Sequence, residues 1–310
     1  MDERQHEYDR FGPWAIEVST DDPPPPLFRP YLTRTEPALF SIKIPRHIER
    51  RNAHPGMDLY DYLVSLYEDD MSILQRVGRE VRAETFRYED VQYLRVEQDL
   101  LRGNVRLGLP GRPCDLPYNT VSDDLMRRVV ETVRQRYARP QQLAVPGPEL
   151  QLDEETLSFY FDRLLADERR RTTDMRLLAA QATVAVADGG VHPARRLLFS
   201  IASKRLLESM HLTDGRELKI IDRGGAYAYR WQAVYGVATC HIPIANLRGV
   251  AWQDDARHAA TVLALETSGG TSVHVFSRDN PSIEPYAAWL SRLAGEPRAA
   301  AAAPPLPNPA

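Results

Sequence analysis

SMHLTDGRELKIIDRGGAYAYRWQAVYGVATCHIPIANLRGVAW, residues 209–252, is the stretch from which the fold is read. Its strand-like runs LKII, AYAYRW, VYGVATCHIPI and LRGVAW are separated by turn signals at Asp214-Gly215 and Gly224-Gly225, the pattern of a β-meander. Downstream, ATVLALET (260–267) and TSVHVFS (271–277) form a hairpin over Ser268-Gly269-Gly270. NPSIEPYAAWLSRLAG (280–295) then reads as a helix, with Asn280 as cap, Pro281 in the first turn and Gly295 as the stop. Tyr286, Leu290 and Leu293 supply its buried stripe.

Upstream, the first half of the chain follows a similar plan. Residues 1–10 read as a loose tail, FGPWAIEV (11–18) as a first strand, and the four prolines after Asp21-Asp22 as a stiff loop between strands. In 38–51, Phe40, Ile42 and Ile44 alternate with Ser41 and Lys43, as in a half-buried strand that Pro45 ends. Residues 57–70 fit a helix or a strand, with the start leaning to helix. Strands follow at 71–78, twice within 81–103, at 104–111 with Val105, Leu107 and Leu109 on one side, and at 114–120 with Cys114, Leu116 and Tyr118 in phase. VSDDLMRRVVETVRQRY (121–137) is an amphipathic helix: Ser122 as cap, Asp123 and Asp124 in the positive first turn, and an apolar stripe of Leu125, Val129, Val133 and Tyr137. A linker (140–152) leads to a second amphipathic helix at 153–171, with Leu157, Tyr160, Phe161, Leu164 and Leu165 on its apolar side.

At 310 residues, 43% hydrophobic and 26% charged, the chain is long enough for two packed domains. No apolar run reaches the ~18 residues of a bilayer-spanning helix. The N-terminus MDERQHEYDR is polar and acidic, unlike a signal peptide, and the expected location is cytoplasmic. Cys114 and Cys240 make neither a disulfide framework nor a zinc site and read as small buried thiols. A net charge of -4 offers no general attraction to nucleic acid, and no nucleic-acid partner is expected.

The order of elements in 88–137 parallels that in 242–295: a turn-strand, a hairpin and then a terminal amphipathic helix. A meander of strands ending in one such helix resembles the bacterial pleckstrin-homology-like domain, and the match covers about 58–139 and 205–295. The resemblance implies an α+β fold, mainly antiparallel β, with two bent sheets or barrels each closed by a C-terminal helix. The expected division is a first domain at 11–139, the linker, a helical connector at 153–208, a second domain at 209–295 and a disordered tail at 296–310. FGPWAIEV, IKIPRHIERR, PGMDLYDYL, ESMHLTDGRELKIIDRG and AVYGVATCHIPIANL are similar to strings of a widespread bacterial family that brings no catalytic residues to carry over. Pleckstrin-homology-like domains are binding modules for peptides, proteins or lipid headgroups, so the resemblance implies a binding role. The dense Lys/Arg signature of phosphoinositide-binding members is missing from RVGREVR (76–82) and IDRGGAYAYR (221–230).

Three basic stretches stand out. RHIERR (46–51) gathers Arg46, Arg50 and Arg51 beside a turn. RRLLFSIASKRLL (195–207) sets Arg195, Arg196, Lys204 and Arg205 around an apolar run; as a basic amphipathic helix it would lie on an anionic membrane surface, and as a packed helix it would merely show a solvated face. ERRR (168–171) reads as a helix terminus whose cations complement the dipole. The histidines 192, 211, 241, 258 and 274 lack metal-ligand spacing, His241 and Cys240 point to opposite faces of one strand, and no nucleotide fingerprint or nucleophile elbow is present. The expectation is therefore a non-catalytic binding or scaffolding protein without catalytic, metal or cofactor residues. Its expected partner is another protein, held at a sheet edge or beside a terminal helix. Peripheral association with the inner face of the membrane is the first alternative, and an enzyme whose site is assembled from distant residues is the second.

Overall fold

The computed structural model describes residues 3–137, 147–151, 157–186, 204–255 and 258–294. The chain divides into two compact units, the first of residues 1–91, 98–107 and 114–139, the second of 92–97, 108–113 and 140–310. The fold is α+β and mostly antiparallel, with four helices among the described residues.

In the first unit, helix α1 (Glu3–Arg10) is followed by a five-stranded antiparallel sheet in sequence order. Its strands are β1 (Ile16–Glu17), β2 (Phe40–Pro45), β3 (Tyr60–Leu66), β4 (Asp70–Val77) and β5 (Glu80–Arg87). The expected loose tail is thus a helix, and the expected first strand shrinks to two residues. Residues 60–66 are a strand and not the start of a helix, because both faces of β3 are covered and Tyr60, Leu63, Val64 and Leu66 are all buried. Continuous burial erases the period-2 alternation that identifies a half-exposed strand.

Strand β6 (Tyr93–Asp99), whose residues 93–97 belong to the second unit, precedes β7 (Arg102–Gly108) and β8 (Cys114–Asn119). β7 and β8 pair antiparallel from Arg102↔Asn119 to Leu107↔Cys114. Helix α2 (Asp123–Tyr137) closes the first unit and buries Met126, Val129, Val130, Val133 and Tyr137, while Leu125 is half-buried. Ser122 sits in a 3-10 turn ahead of α2 and accepts the Ala15 N–H at 2.7 Å; Asn119 is the side chain that caps that turn, accepting from the Val121 N–H.

In the second unit, helix α3 (Phe159–Arg171) starts at Ser158, whose hydroxyl accepts the Phe161 N–H. β9 (Arg176–Gln181), β10 (Val184–Ala185), β11 (Lys204–Leu206), β12 (Ser209–Thr213), β13 (Glu217–Asp222), β14 (Tyr227–Tyr229) and β15 (Val237–Pro243) follow. Within the expected helical connector, 159–171 is helix and 176–181, 184–185 and 204–206 are strands. β16 (Gly249–Asp255), β17 (Ala260–Thr267), β18 (Gly270–Ser277) and helix α4 (Ile283–Ala294) complete the unit. The strand orders are β6-β15-β13-β12-β9, β10-β11-β14 and β16-β17-β18, so the sheets are open and none closes into a barrel.

Helices α3 and α4 cover opposite faces of the β9-β12-β13-β15 sheet. Leu178, Leu218, Ile220, Cys240 and Ile242 pack with Tyr286, Trp289 and Leu290 of α4. Leu177, Met210, Leu212 and Ile221 pack with Phe161 and Leu165 of α3. Burying each such side chain contributes roughly 1.5–3 kcal/mol, so truncating a fully buried one such as Leu290 to alanine costs about 2–5 kcal/mol. Lys219 alternates onto the α3 face and is therefore buried, where its Nζ meets Glu168 at 2.5 Å. Tyr160 is exposed, outside the stripe expected for it. Trp289 is a buried member of the α4 stripe that the spacing of Tyr286, Leu290 and Leu293 leaves out.

Candidate functional site

Alternation along β2 places Lys43 on the face opposite Phe40, Ile42 and Ile44. Helix α1 and the proline loop cover that face, so Lys43 is buried as well. Its Nζ donates to the Pro23 carbonyl at 3.2 Å, lies 3.6 Å from Asp22 Oδ1 and sits 4.9 Å from the centre of the Tyr60 ring. Arg10 of α1 grips the same carboxylate from the other side, Nε at 2.9 Å and Nη2 at 2.5 Å. Burial holds the Lys43 ammonium below its usual range, against the pull of Asp22 and Glu7. Burial likewise raises the Glu7 carboxyl. Burial also opposes ionisation of Asp22, yet the hydrogen bonds and charges of Arg10 and Lys43 outweigh it and lower its pKa. The Tyr60 hydroxyl is buried without a partner, and burial pushes its pKa up. Perturbed groups in a cleft mark a candidate site. Here the cleft between Glu3, His6, Glu7, Pro24, Arg29 and Lys43 has room at its base for about one water molecule. The arrangement can order a water or tie α1 to the sheet, and it is too narrow for an organic substrate.

A second polar cluster lies in the core of the second unit. His211 of β12 and His274 of β18 are both buried, their rings 5.0 Å apart and nearly perpendicular. His211 Nδ1 and the Tyr286 hydroxyl share a hydrogen bond of 2.9 Å, and His211 Nε2 is buried without a partner. His274 Nε2 and Ser272 Oγ share one of 2.8 Å, with Cys240 Sγ at 4.0 Å from Ser272 Oγ. Burial drives both imidazoles to the neutral form: His274, with the Arg95 charge adding to the effect, is held down at about 3, and His211 well below its usual value. Burial lifts the Cys240 thiol to about 11, which leaves it protonated and a poor nucleophile. Cys240 and His241 do face opposite ways: Cys240 lies in the core beneath α4, while His241 Nδ1 meets Glu217 Oε1 at 2.9 Å. Sequence spacing hides the His211–His274 pair because it forms across strands of two different sheets. No group of three or more metal-ligating side chains occurs among the described residues.

The basic residues singled out from sequence are dispersed. Arg46 donates to the Asp58 carbonyl at 3.0 Å, and Arg50 donates to the Phe11 and Asp9 carbonyls while lying 5.0 Å from the Tyr8 ring. Arg50 therefore fastens the N-terminal segment, and Arg46 ties the start of β3 to the end of β2. Arg51 is exposed beside Glu49. Arg195 and Arg196 lie outside the described residues. Lys204 and Arg205 are on strand β11 and not on an amphipathic helix. Glu168 of the ERRR terminus is buried against Lys219, and its arginines pair with Glu149, Asp167 and Glu168.

Two exposed features among the described residues bear on binding. Strand β5 pairs with β4 along its whole length, from Asp70↔Arg87 to Val77↔Glu80, and has no second strand neighbour among the described residues. In the second unit, the loop after β14 exposes Trp231 and Tyr235, 71% and 65% accessible, with the Trp231 ring stacked on Tyr229 at 5.7 Å. No family model matches the chain, and no curated protein matches it either.

Proposed function

We propose that this is a non-catalytic binding or scaffolding protein of two pleckstrin-homology-like modules, whose first unit takes a protein partner by strand addition at β5. The order of elements supports the modular reading. Strands β2–β5, then β6–β8, then α2 are followed later in the chain by β9, β12, β13 and β15, then β16–β18, then α4. The non-catalytic reading rests on the burial of the perturbed groups Lys43, His211, His274 and Cys240, which keeps them from a substrate in solution.

The observation that carries the proposal is the open edge of β5. Alternate residues of an antiparallel strand aim their N–H and C=O groups away from the paired neighbour, so half of this eight-residue main chain is available to an added strand. Glu80, Arg82, Glu84 and Arg87 stud the edge with charge. Such charges suppress indiscriminate edge-to-edge pairing and favour an extended segment of complementary pattern.

Proline substitution at neighbouring positions tests this, because successive N–H groups point in opposite directions. Of Ala83→Pro and Glu84→Pro, one removes an outward N–H and the other a ladder bond to β4. A partner crosslinked to residues 80–87 of the wild type is expected to be lost from the variant that keeps its melting temperature. Retention of that partner by both variants overturns the proposal.

A further inference from the structure

We infer that the second unit carries a separate contact surface for anionic phospholipid membranes, formed by Trp231 and Lys204 against the Tyr229 ring, with Arg230 and Tyr235 exposed on the same loop. This surface is independent of the β5 edge.

The loop is held in place and presents its side chains outward. Gln232 N–H donates to the Tyr229 carbonyl at 2.9 Å, closing a turn with Arg230 and Trp231 at its apex. On the far side of that turn, the Arg205 guanidinium donates to the Gln232 carbonyl at 2.8 Å and pins the loop to β11. The base is anchored through the ladder Lys204↔Tyr229, Arg205↔Ala228, Leu206↔Tyr227, with Ala228 and Leu206 buried. Trp231 is therefore exposed by a fixed turn and by its stacking on Tyr229. Scattered single aromatics are ordinary on a surface, whereas a stacked pair held outward by a fixed turn is a contiguous apolar patch of the kind that marks an interaction site.

Chemistry selects the occupant. Trp and Tyr have an apolar body and a polar tip, the combination that settles at the boundary between lipid headgroups and acyl chains. Ala233 and Val234 lie between Trp231 and Tyr235, so the loop adds no buried charge to that boundary. Lys204 sits 5.7 Å from the Tyr229 ring, and Arg230 is exposed at the turn apex. Between Asp222 and Asp254 the chain has no Asp or Glu, in a protein whose net charge is -4. Carboxylates are thus absent from the one stretch that exposes Trp231, and the cations that remain complement an anionic headgroup layer.

The test is co-sedimentation of the full chain with phosphatidylcholine vesicles, with and without phosphatidylserine, at low and physiological salt. Pelleting is expected only with phosphatidylserine present, weakening as salt rises. Trp231→Ala with Tyr235→Ala, and separately Lys204→Ala with Arg230→Ala, should each weaken binding about tenfold or more. Trp231→Tyr should restore most of the loss, which separates interfacial anchoring from a folding defect. Equal pelleting of wild type and both double variants, or no pelleting of the wild type, overturns the inference. So does a wild-type complex with a protein through Trp231 in the absence of vesicle binding.

Discussion

His211 and His274 meet ring to ring in the core of the second unit, centroids 5.0 Å apart and planes at 81°. Neither imidazole can take up a proton without placing a charge in an apolar core, and Arg95 adds its own charge against protonation of His274. The native pKa values are depressed, whereas an unfolded chain protonates both near 6.5. Stability from this pair is fully present above about pH 6.5 and is lost as pH falls toward the native value of about 3 for His274. Each histidine steepens the loss by up to about 1.4 kcal/mol per pH unit in that window. Urea denaturation midpoints measured from pH 7.5 downward should fall accordingly, and His274→Gln should flatten the curve by about one proton's worth. An unchanged slope in the variant refutes this account.

Lys219 and Glu168 form a buried ion pair between β13 and α3. Lys219→Met leaves the buried Glu168 carboxylate to the exposed Arg171, 4.0 Å away, and should cost about 3 kcal/mol, whereas Lys219→Met combined with Glu168→Leu should cost much less. Chemical denaturation of the two single variants and the double variant gives the coupling directly. Additive losses would mean that the two charges do not interact.

Asp22 holds two cations, Arg10 and Lys43, in the first unit. Asp22→Asn leaves both without their carboxylate and should lower stability by about 3 kcal/mol or more, while Lys43→Met leaves the Arg10–Asp22 pair in place and should cost clearly less. Thermal unfolding of the two variants ranks them, and the reverse order would place the critical charge on Lys43.

Gly269 packs on the backbone of Gly108, the last residue of β7. A Cβ there would lie 2.7 Å from the Gly108 carbonyl oxygen, which Gln92 N–H also engages. Gly269→Ala should destabilise by about 1–3 kcal/mol. Gly225→Ala, with open space around the added methyl, should stay within about 0.5 kcal/mol of wild type. Equal melting temperatures for the two variants would mean that the loop relaxes freely.

Cys240 is buried and its thiol is raised to about 11, whereas Cys114 is partly exposed. Ellman's reagent should titrate one thiol in the native protein and two in denaturant, and Cys114→Ser should abolish the native signal. Rapid modification of Cys240 in the native state would contradict the sealed core.

Local sequence determined the elements whose signals lie within a few residues. The hairpin over Ser268-Gly269-Gly270, the alternation of Val105, Leu107 and Leu109, and the spacing of Val129, Val133 and Tyr137 each follow from turn chemistry or periodicity. Where two faces of a strand are covered, that periodicity disappears: β3 reads like the start of a helix, and β13 hides a buried Lys219 among its apolar neighbours. Tertiary structure alone decided that Glu3–Arg10 is a helix covering Lys43, that Arg46 and Arg50 bind carbonyls of their own unit, and that Lys204 and Arg205 belong to a strand. It also decided that His211 meets His274. The physical reason is common to all of these. Burial and pairing of charged or polar side chains depend on what covers a face, and the covering segment comes from a distant part of the chain.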